Sequence, residues 1–163
     1  MKPASHPDAL RIQAILGGGF AVVEFSESTK TSVEAAAAVD CTVAQIAKSI
    51  MLKTVKEQKP VLVVASGVNR VDEKKVSAVL GEKVKSADAD FVLAHAGVPP
   101  GGVPPVGHLV APHVVLDQDL KQYEVIWAAG GTANAVFKLT WEDLVALTNG
   151  TPADVAKVQA VLP

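Results

Sequence analysis

The sequence predicts a mixed α/β domain in which a sheet of parallel and antiparallel strands curls toward a barrel and helices pack around it. Three observations point there. Short apolar runs of strand length are interspersed with segments that carry helix caps. One run, residues 61–65, is an unbroken Val-Leu-Val-Val-Ala and suits a strand covered on both faces. Two later runs, residues 125–129 and 135–139, flank Gly-Gly-Thr-Ala-Asn and read as a hairpin.

Taken from the start, residues 1–8 hold two prolines among polar side chains and read as a loose arm. Apolar residues at helical spacing follow over 9–16, and Gly17-Gly18-Gly19 stops that helix ahead of a strand over 20–25. The triple glycine follows a helix and lacks a Gly-Lys-Ser/Thr ending, so it reads as a turn and not as a phosphate loop. Thr31 and Glu34 have capping-box spacing before a helix over 33–39, and a second short helix is expected from 43 to about 48. A strand over 50–55, a turn over 56–60 and the 61–65 run come next, with the two strands expected to pair.

Asp72 is placed to cap a helix whose Val76, Val79 and Leu80 share a face, with Gly81 as its terminator. Asp88 opens another helix that ends near Gly97. The Pro- and Gly-rich stretch 98–107 can be neither helix nor central strand, because proline removes backbone donors. Strands over 113–116, 125–129 and 135–139 follow, and Thr140 with Asp143 caps a helix to Leu147. Thr151-Pro152 is expected to begin a final helix, with proline where its missing N–H costs nothing. There is no internal repeat and no interdomain linker, so residues 1–163 read as a single domain.

A chain of 163 residues can bury most of its apolar surface without disulfides. Hydrophobic residues make up 49% and charged residues 20%, which excludes disorder and a membrane-embedded chain. Aromatics at 4% leave few platforms for stacking RNA bases, and a net charge of -2 argues against coating nucleic acid through the overall field. A local contact with one RNA end stays open. The single cysteine, Cys41, reads as a small packing residue, and together with the lack of a targeting pattern it points to the cytoplasm.

Most catalytic signatures are missing. Ser66 in Ala65-Ser66-Gly67 lacks the first glycine of a nucleophile elbow. His108 and His113 are five apart, and His6 and His95 have no ligand at metal spacing, so neither a metal nor a cofactor is expected. No strand runs into a G-x-G-x-x-G turn, which disfavours a Rossmann-like nucleotide binder. Two features stand out. Lys48 sits among core-type neighbours and must reach a surface or cleft, although a cation at a helix C-terminus would be an ordinary alternative. The 101–105 loop combines glycines that let backbone N–H groups approach a ligand with prolines that limit its freedom, as an ordinary rigid crossover also would.

Four segments in register carry a resemblance. Gln45-Ile46-Ala47-Lys48-Ser49, then Val63-Val64-Ala65-Ser66-Gly67 with Arg70-Val71-Asp72-Glu73-Lys74-Lys75, then Gly101-Gly102-Val103-Pro104-Pro105, then Trp127-Ala128-Ala129-Gly130-Gly131 resemble the YbaK/ProX family of aminoacyl-tRNA editing deacylases, which is related to the prolyl-tRNA synthetase insertion domain. The match runs from about Phe20 to Val155. The resemblance implies that fold, with Lys48 as the required active-site residue, and a mechanism that fits has backbone N–H groups of Gly101, as a catalytic donor, and of Gly102 at the reacting carbonyl. It places Phe25, Ser49, Gly102, Val103, Pro105, Ala129, Gly130, Gly131 and Val136 around the aminoacyl ester and terminal adenosine.

The implied partner is the acceptor end of a mischarged tRNA, proline-accepting by resemblance, with prolyl-tRNA synthetase as a further partner. An aminoacyl ester is already activated, so positioned water and a stabilised oxyanion suffice without a covalent nucleophile. Cysteine-specific members resemble one another in a serine before the double glycine, an aspartate beyond it and an upstream tyrosine. Ala129, Val136 and Phe25 stand there in this chain, which favours a small apolar amino acid such as alanine or 2-aminobutyrate. A Cys-tRNA or Ser/Thr-tRNA deacylase of the same family is one alternative, and a non-catalytic tRNA- or synthetase-binding module is another.

Overall fold

The computed structural model describes residues 1–158. Its strands are β1 (Lys2–Pro3), β2 (Val22–Glu24), β3 (Ile46–Thr54), β4 (Pro60–Ser66), β5 (Val84–Ser86), β6 (His113–Asp117), β7 (Ile126–Ala129), β8 (Ala135–Leu139) and β9 (Thr151–Ala153). Its α-helices are α1 (Pro7–Leu16), α2 (Ser32–Val39), α3 (Glu73–Leu80), α4 (Ala89–Ala96) and α5 (Trp141–Thr148). One mixed sheet runs in the order β1-β2-β8-β7-β3-β4-β6-β9, with β5 paired to β3 off this path, and it does not close into a barrel. β3 pairs antiparallel with β4 and parallel with β7, while β4 and β6 run parallel.

The apolar run at residues 61–65 explains the centre of the fold. Every residue of β4 is buried, because both faces of the strand are covered. Leu62 and Val64 face a cluster that holds Ala9, Ile12 and Leu16 of α1, Val92 and Ala96 of α4, and Leu144 of α5. Val61, Val63 and Ala65 face a second cluster, closed by Val76 of α3. Fully burying side chains of this size contributes roughly 1.5–3 kcal/mol each, so β4 anchors both layers.

The helix signals work as their chemistry requires. Thr31 and Thr140 each close a reciprocal capping box, with Glu34 and Asp143. Asp72 and Asp88 cap α3 and α4, and Gly81 and Gly97 end them in the left-handed conformation.

Four segments differ from the sequence expectation. The arm at 1–8 is tied down: β1 pairs with β2, and the buried Glu24 carboxylate accepts the N–H groups of Ser5 and His6 at 2.7 and 2.8 Å and the Ser5 hydroxyl at 2.8 Å. Those bonds hold the Glu24 carboxyl down at about 2. Residues 43–48 do not form a helix. A single 3-10 turn, Val43–Gln45, is closed by Gln45 Oε1, which accepts from Thr42, and β3 begins at Ile46 because its pairing with β4 spans Ala47 to Lys53. Lys48 is therefore a strand residue, and the helix-end alternative for it falls.

The third difference is β5, whose three residues pair with Leu52, Lys53 and Thr54. At Thr151-Pro152 the chain makes β9, parallel to β6, where a final helix was expected. Val155 is fully buried against the α3 layer, and Asp72 N–H donates to its carbonyl at 2.7 Å, so the chain stays extended there. Residues 159–163, the remainder of that expected helix, lie outside the described residues.

Candidate functional site

The site begins with a gap in the sheet. Along one edge β3 pairs with β4 without a break from Ala47 to Lys53. Along its other edge, β7 pairs only at Ile46 and Ala47, and β5 pairs only from Leu52 onward. Ile46 directs its carbonyl to Gly67 on the β4 side, so by strand alternation Ala47, Ser49 and Met51 direct their backbone groups to the gap. The Met51 carbonyl accepts Ala87 N–H at 3.3 Å, but no strand lies opposite Ser49. A mid-sheet residue is thus left with free backbone capacity beside an opening.

That opening is a cavity of about 440 Å³. Its inner wall is apolar, with Ala47, Met51, Val92, Val103, Ala128 and Val136. The amino end of α2 and the loop residues Pro100 and Gly101 form its rim. Ser49 also lines it, with a buried hydroxyl that has no hydrogen-bond partner. An orphaned hydroxyl of this kind costs about 1–3 kcal/mol unless water or a ligand satisfies it.

Lys48 lies between this cavity and a smaller one of about 280 Å³. Its Nζ donates to the carbonyls of Asn69 at 2.5 Å and Gly67 at 3.4 Å. An ammonium has three donors, so one N–H remains for a ligand. The loop that supplies these carbonyls is itself fixed by the buried Asp117, whose Oδ2 accepts Ser66 N–H at 3.1 Å and Asn69 Nδ2 at 2.8 Å. Burial lowers the Lys48 pKa below its ordinary value, the Asp117 carboxylate opposes that shift, and the Arg70 guanidinium adds to it. Lys48 is a held, partly desolvated cation.

Around the larger cavity the structure brings together Lys48, Ser49, Gly101, Val103, Ala129 and Val136. Phe25, Gly102, Pro105, Gly130 and Gly131 are not part of its lining. Phe25 exchanges backbone and side-chain hydrogen bonds with Asn134. Gly102 packs on the hairpin loop, where an added Cβ would come within 2.7 Å of the Thr132 backbone. Gly130 faces Val22, and Gly131 faces Asp8 and Ile12 of α1. Pro105 is buried.

Gly101 sits at φ +102°, which side chains rarely adopt, and an added Cβ would stand 3.2 Å from Lys30 Cβ. The rest of the loop is pinned from behind. Arg11 Nη1 donates to the Gly107 carbonyl at 2.7 Å, and His108 Nε2 donates to the Pro104 carbonyl at 2.7 Å. Burial lowers the His108 pKa, and its Nδ1 is buried without a partner. His108 therefore serves as a neutral loop anchor.

Sequence reasoning missed the contribution of residues 29–32 at the amino end of α2, and that of Trp127. The Thr31 capping box located the helix start but carried no sign of which cavity it would face. Among the described residues no group of three or more His, Cys, Asp or Glu could hold a metal ion. No helix among them is long and apolar enough to cross a membrane.

Comparison with known proteins completes the description. A family model for the aminoacyl-tRNA editing domain matches residues 26–147. The uncharacterized protein YwhH of Bacillus subtilis (strain 168) is 33% identical over 123 residues, which cover 76% of this chain and 78% of that protein. A solved structure described as "a putative trans-editing enzyme for prolyl tRNA synthetase" is 39% identical, with a TM-score of 0.89 over 95% of this chain and 100% of that one. The structure of hypothetical protein APE2540 is 28% identical, with a TM-score of 0.79 over 85% of this chain and 91% of that one.

Proposed function

Because the chain belongs to the aminoacyl-tRNA editing-domain family, we propose that it is a deacylase that hydrolyses the ester of a mischarged tRNA in trans, with a proline-accepting tRNA carrying alanine or 2-aminobutyrate as substrate. The observation that carries this reading is the sheet gap, which sets a small apolar cavity beside a held lysine. The amino-acid side chain enters among Ala128, Ala129 and Val136, an apolar wall on which burial gains roughly 0.8 kcal/mol per methylene. The free N–H of Lys48 and backbone N–H groups at Gly101 meet the ester and its developing oxyanion. Water completes the hydrolysis, held by the free backbone groups of Ser49 on the gap side of β3. Prolyl-tRNA synthetase and the cytoplasm are the partner and compartment that go with this role.

One observation favours a second reading. The unpartnered Ser49 hydroxyl is buried, but turned about χ1 into the cavity it could pair with the hydroxyl of a seryl or threonyl group, and a site built to hydrogen-bond a hydroxyl discriminates strongly for it. Measuring kcat/KM across Ala-, 2-aminobutyryl-, Cys-, Ser- and Thr-tRNA separates the readings. Alanine and 2-aminobutyrate are expected to lead. A preference for Ser-tRNA selects the second reading, and no turnover on any ester refutes the deacylase.

A further inference from the structure

Behind the gap lies the second cavity, of about 280 Å³, and its wall differs from that of the first. Lys48, Ile50 and Ser86 line both, so the two meet along the open stretch of β3. Here, however, the charged wall is formed by Lys48, Arg70, Lys157 and Glu73. Glu73 is partly occupied, accepting the Ser86 hydroxyl at 3.2 Å. Arg70 and Lys157 make no ion pair with the described residues, and their side chains are exposed.

The proximity of these two cations is built into the backbone. Val71 and Ala156 form a β-bridge, and Lys157 N–H donates to the Arg70 carbonyl at 2.8 Å. Two cations with no ion-pair partner among the described residues are thereby carried on paired backbone beside a third, Lys48, whose pKa Arg70 already lowers. Such convergence is unfavourable in the empty protein and is relieved by an anion.

Building on the deacylase reading, we propose that this second cavity binds the phosphodiester backbone of the single-stranded tRNA end, with Arg70 and Lys157 as its anion-binding residues. The apolar cavity then receives the amino acid while the basic one receives the strand that carries it, and Lys48 stands where the two cavities meet. Phosphate contacts of this kind position a strand without reading its sequence. This local basic site also reconciles RNA binding with an overall net charge of -2.

The test compares the wild-type chain with the Arg70→Ser/Lys157→Ser variant, both exposed positions whose replacement leaves the core untouched. Binding of fluorescein-labelled, CCA-ended tRNA is followed by anisotropy over a salt series. Hydrolysis of alanyl-tRNA is compared with that of alanyl-adenosine, which has no phosphate. The variant is expected to bind tRNA about tenfold or more weakly. Its log Kd against log salt slope should be shallower by about 1.4, for two lost contacts to a single strand. The ratio of kcat/KM on alanyl-tRNA to that on alanyl-adenosine should fall about tenfold as well. Unchanged tRNA affinity and salt slope overturn the proposal. So does a variant that loses binding of inorganic phosphate, measured by calorimetry, while keeping its tRNA affinity, since the cavity then serves a free anion. If the wild type hydrolyses neither substrate, the deacylase reading falls, while the anisotropy comparison still decides the binding site.

Discussion

Replacing Lys48 with alanine separates the loop contacts its ammonium makes from the role in hydrolysis proposed for it. Two of its donors go to the Asn69 and Gly67 carbonyls, on a loop whose neighbours Val68 and Arg70 are exposed. Water can take over at those carbonyls, so the structural loss is limited to roughly 1 kcal/mol, or about 2–4 °C in Tm for a chain of this size. If the third donor holds the reacting ester, its loss removes about 1.5–3 kcal/mol from the transition state, which is a factor of about 10–150 in rate. Thermal melting paired with single-turnover deacylation of Ala-tRNA measures both. The expected variant melts a few degrees lower and reacts at least tenfold more slowly. A pH series adds a second readout, because the Lys48 pKa is lowered from 10.5 and the charged form exists only below it. Lysine-dependent activity should therefore fade on the alkaline side before pH 10.5, whereas any activity kept by Lys48→Arg should not, since arginine stays charged. A Lys48→Ala protein with reduced Tm and a full wild-type rate would refute the reasoning and leave Lys48 as a staple for the 67–69 loop.

Two further outcomes test other parts of the site and its frame. Gly101→Val places a branched side chain at φ +102° on the cavity rim and should lower kcat/KM by tenfold or more while circular dichroism stays native; a wild-type rate would make the loop a mere connector. Glu24→Gln removes the charge that holds the N-terminal arm and should cost about 1.5–3 kcal/mol in urea unfolding at pH 7. Because folding lowers the Glu24 pKa from 4.5 to about 2, its contribution is complete above pH 4.5 and is lost as pH falls toward 2, so the difference between wild type and variant should shrink across that window. A difference that stays constant from pH 7 to pH 3 would mean that the charge is not what holds the arm.

What the sequence revealed follows from the range of each interaction. Caps such as Thr31 with Glu34 and Asp72 at α3 act within one helical turn, and they were legible. β4 was legible because burial on both faces demands apolar residues at every position. β9 was not, since Thr151-Pro152 is an equally good helix start and only the distant partner β6 makes it a strand. The same holds for the arm, whose anchor Glu24 is many residues away, and for β5, too short to show a period. At the site, Lys48, Ser49, Gly101, Val103, Ala129 and Val136, among the residues the resemblance named, line the larger cavity. It could not tell a glycine that faces a cavity from one that lets two loops touch, which is what Gly102 does against Thr132. The gap itself is invisible in the sequence, because it depends on where β7 and β5 stop relative to β3.

That gap shapes how such a protein can change over evolution. The void is framed by the ends of β7 and β5, so its existence rests on the backbone hydrogen-bond ladder of β3 with those strands, which every non-proline residue can supply alike. Side chains on its lips, such as Ala129, can be exchanged without breaking a rung of that ladder. Most enzymes that retune their preference lose stability when a pocket residue is also a core residue. Here the half-buried lip at Ala129 is largely decoupled from the architecture, and under the proposed function a lineage could walk from one amino acid to another by single substitutions there while the frame, and the lysine beside it, stayed in place.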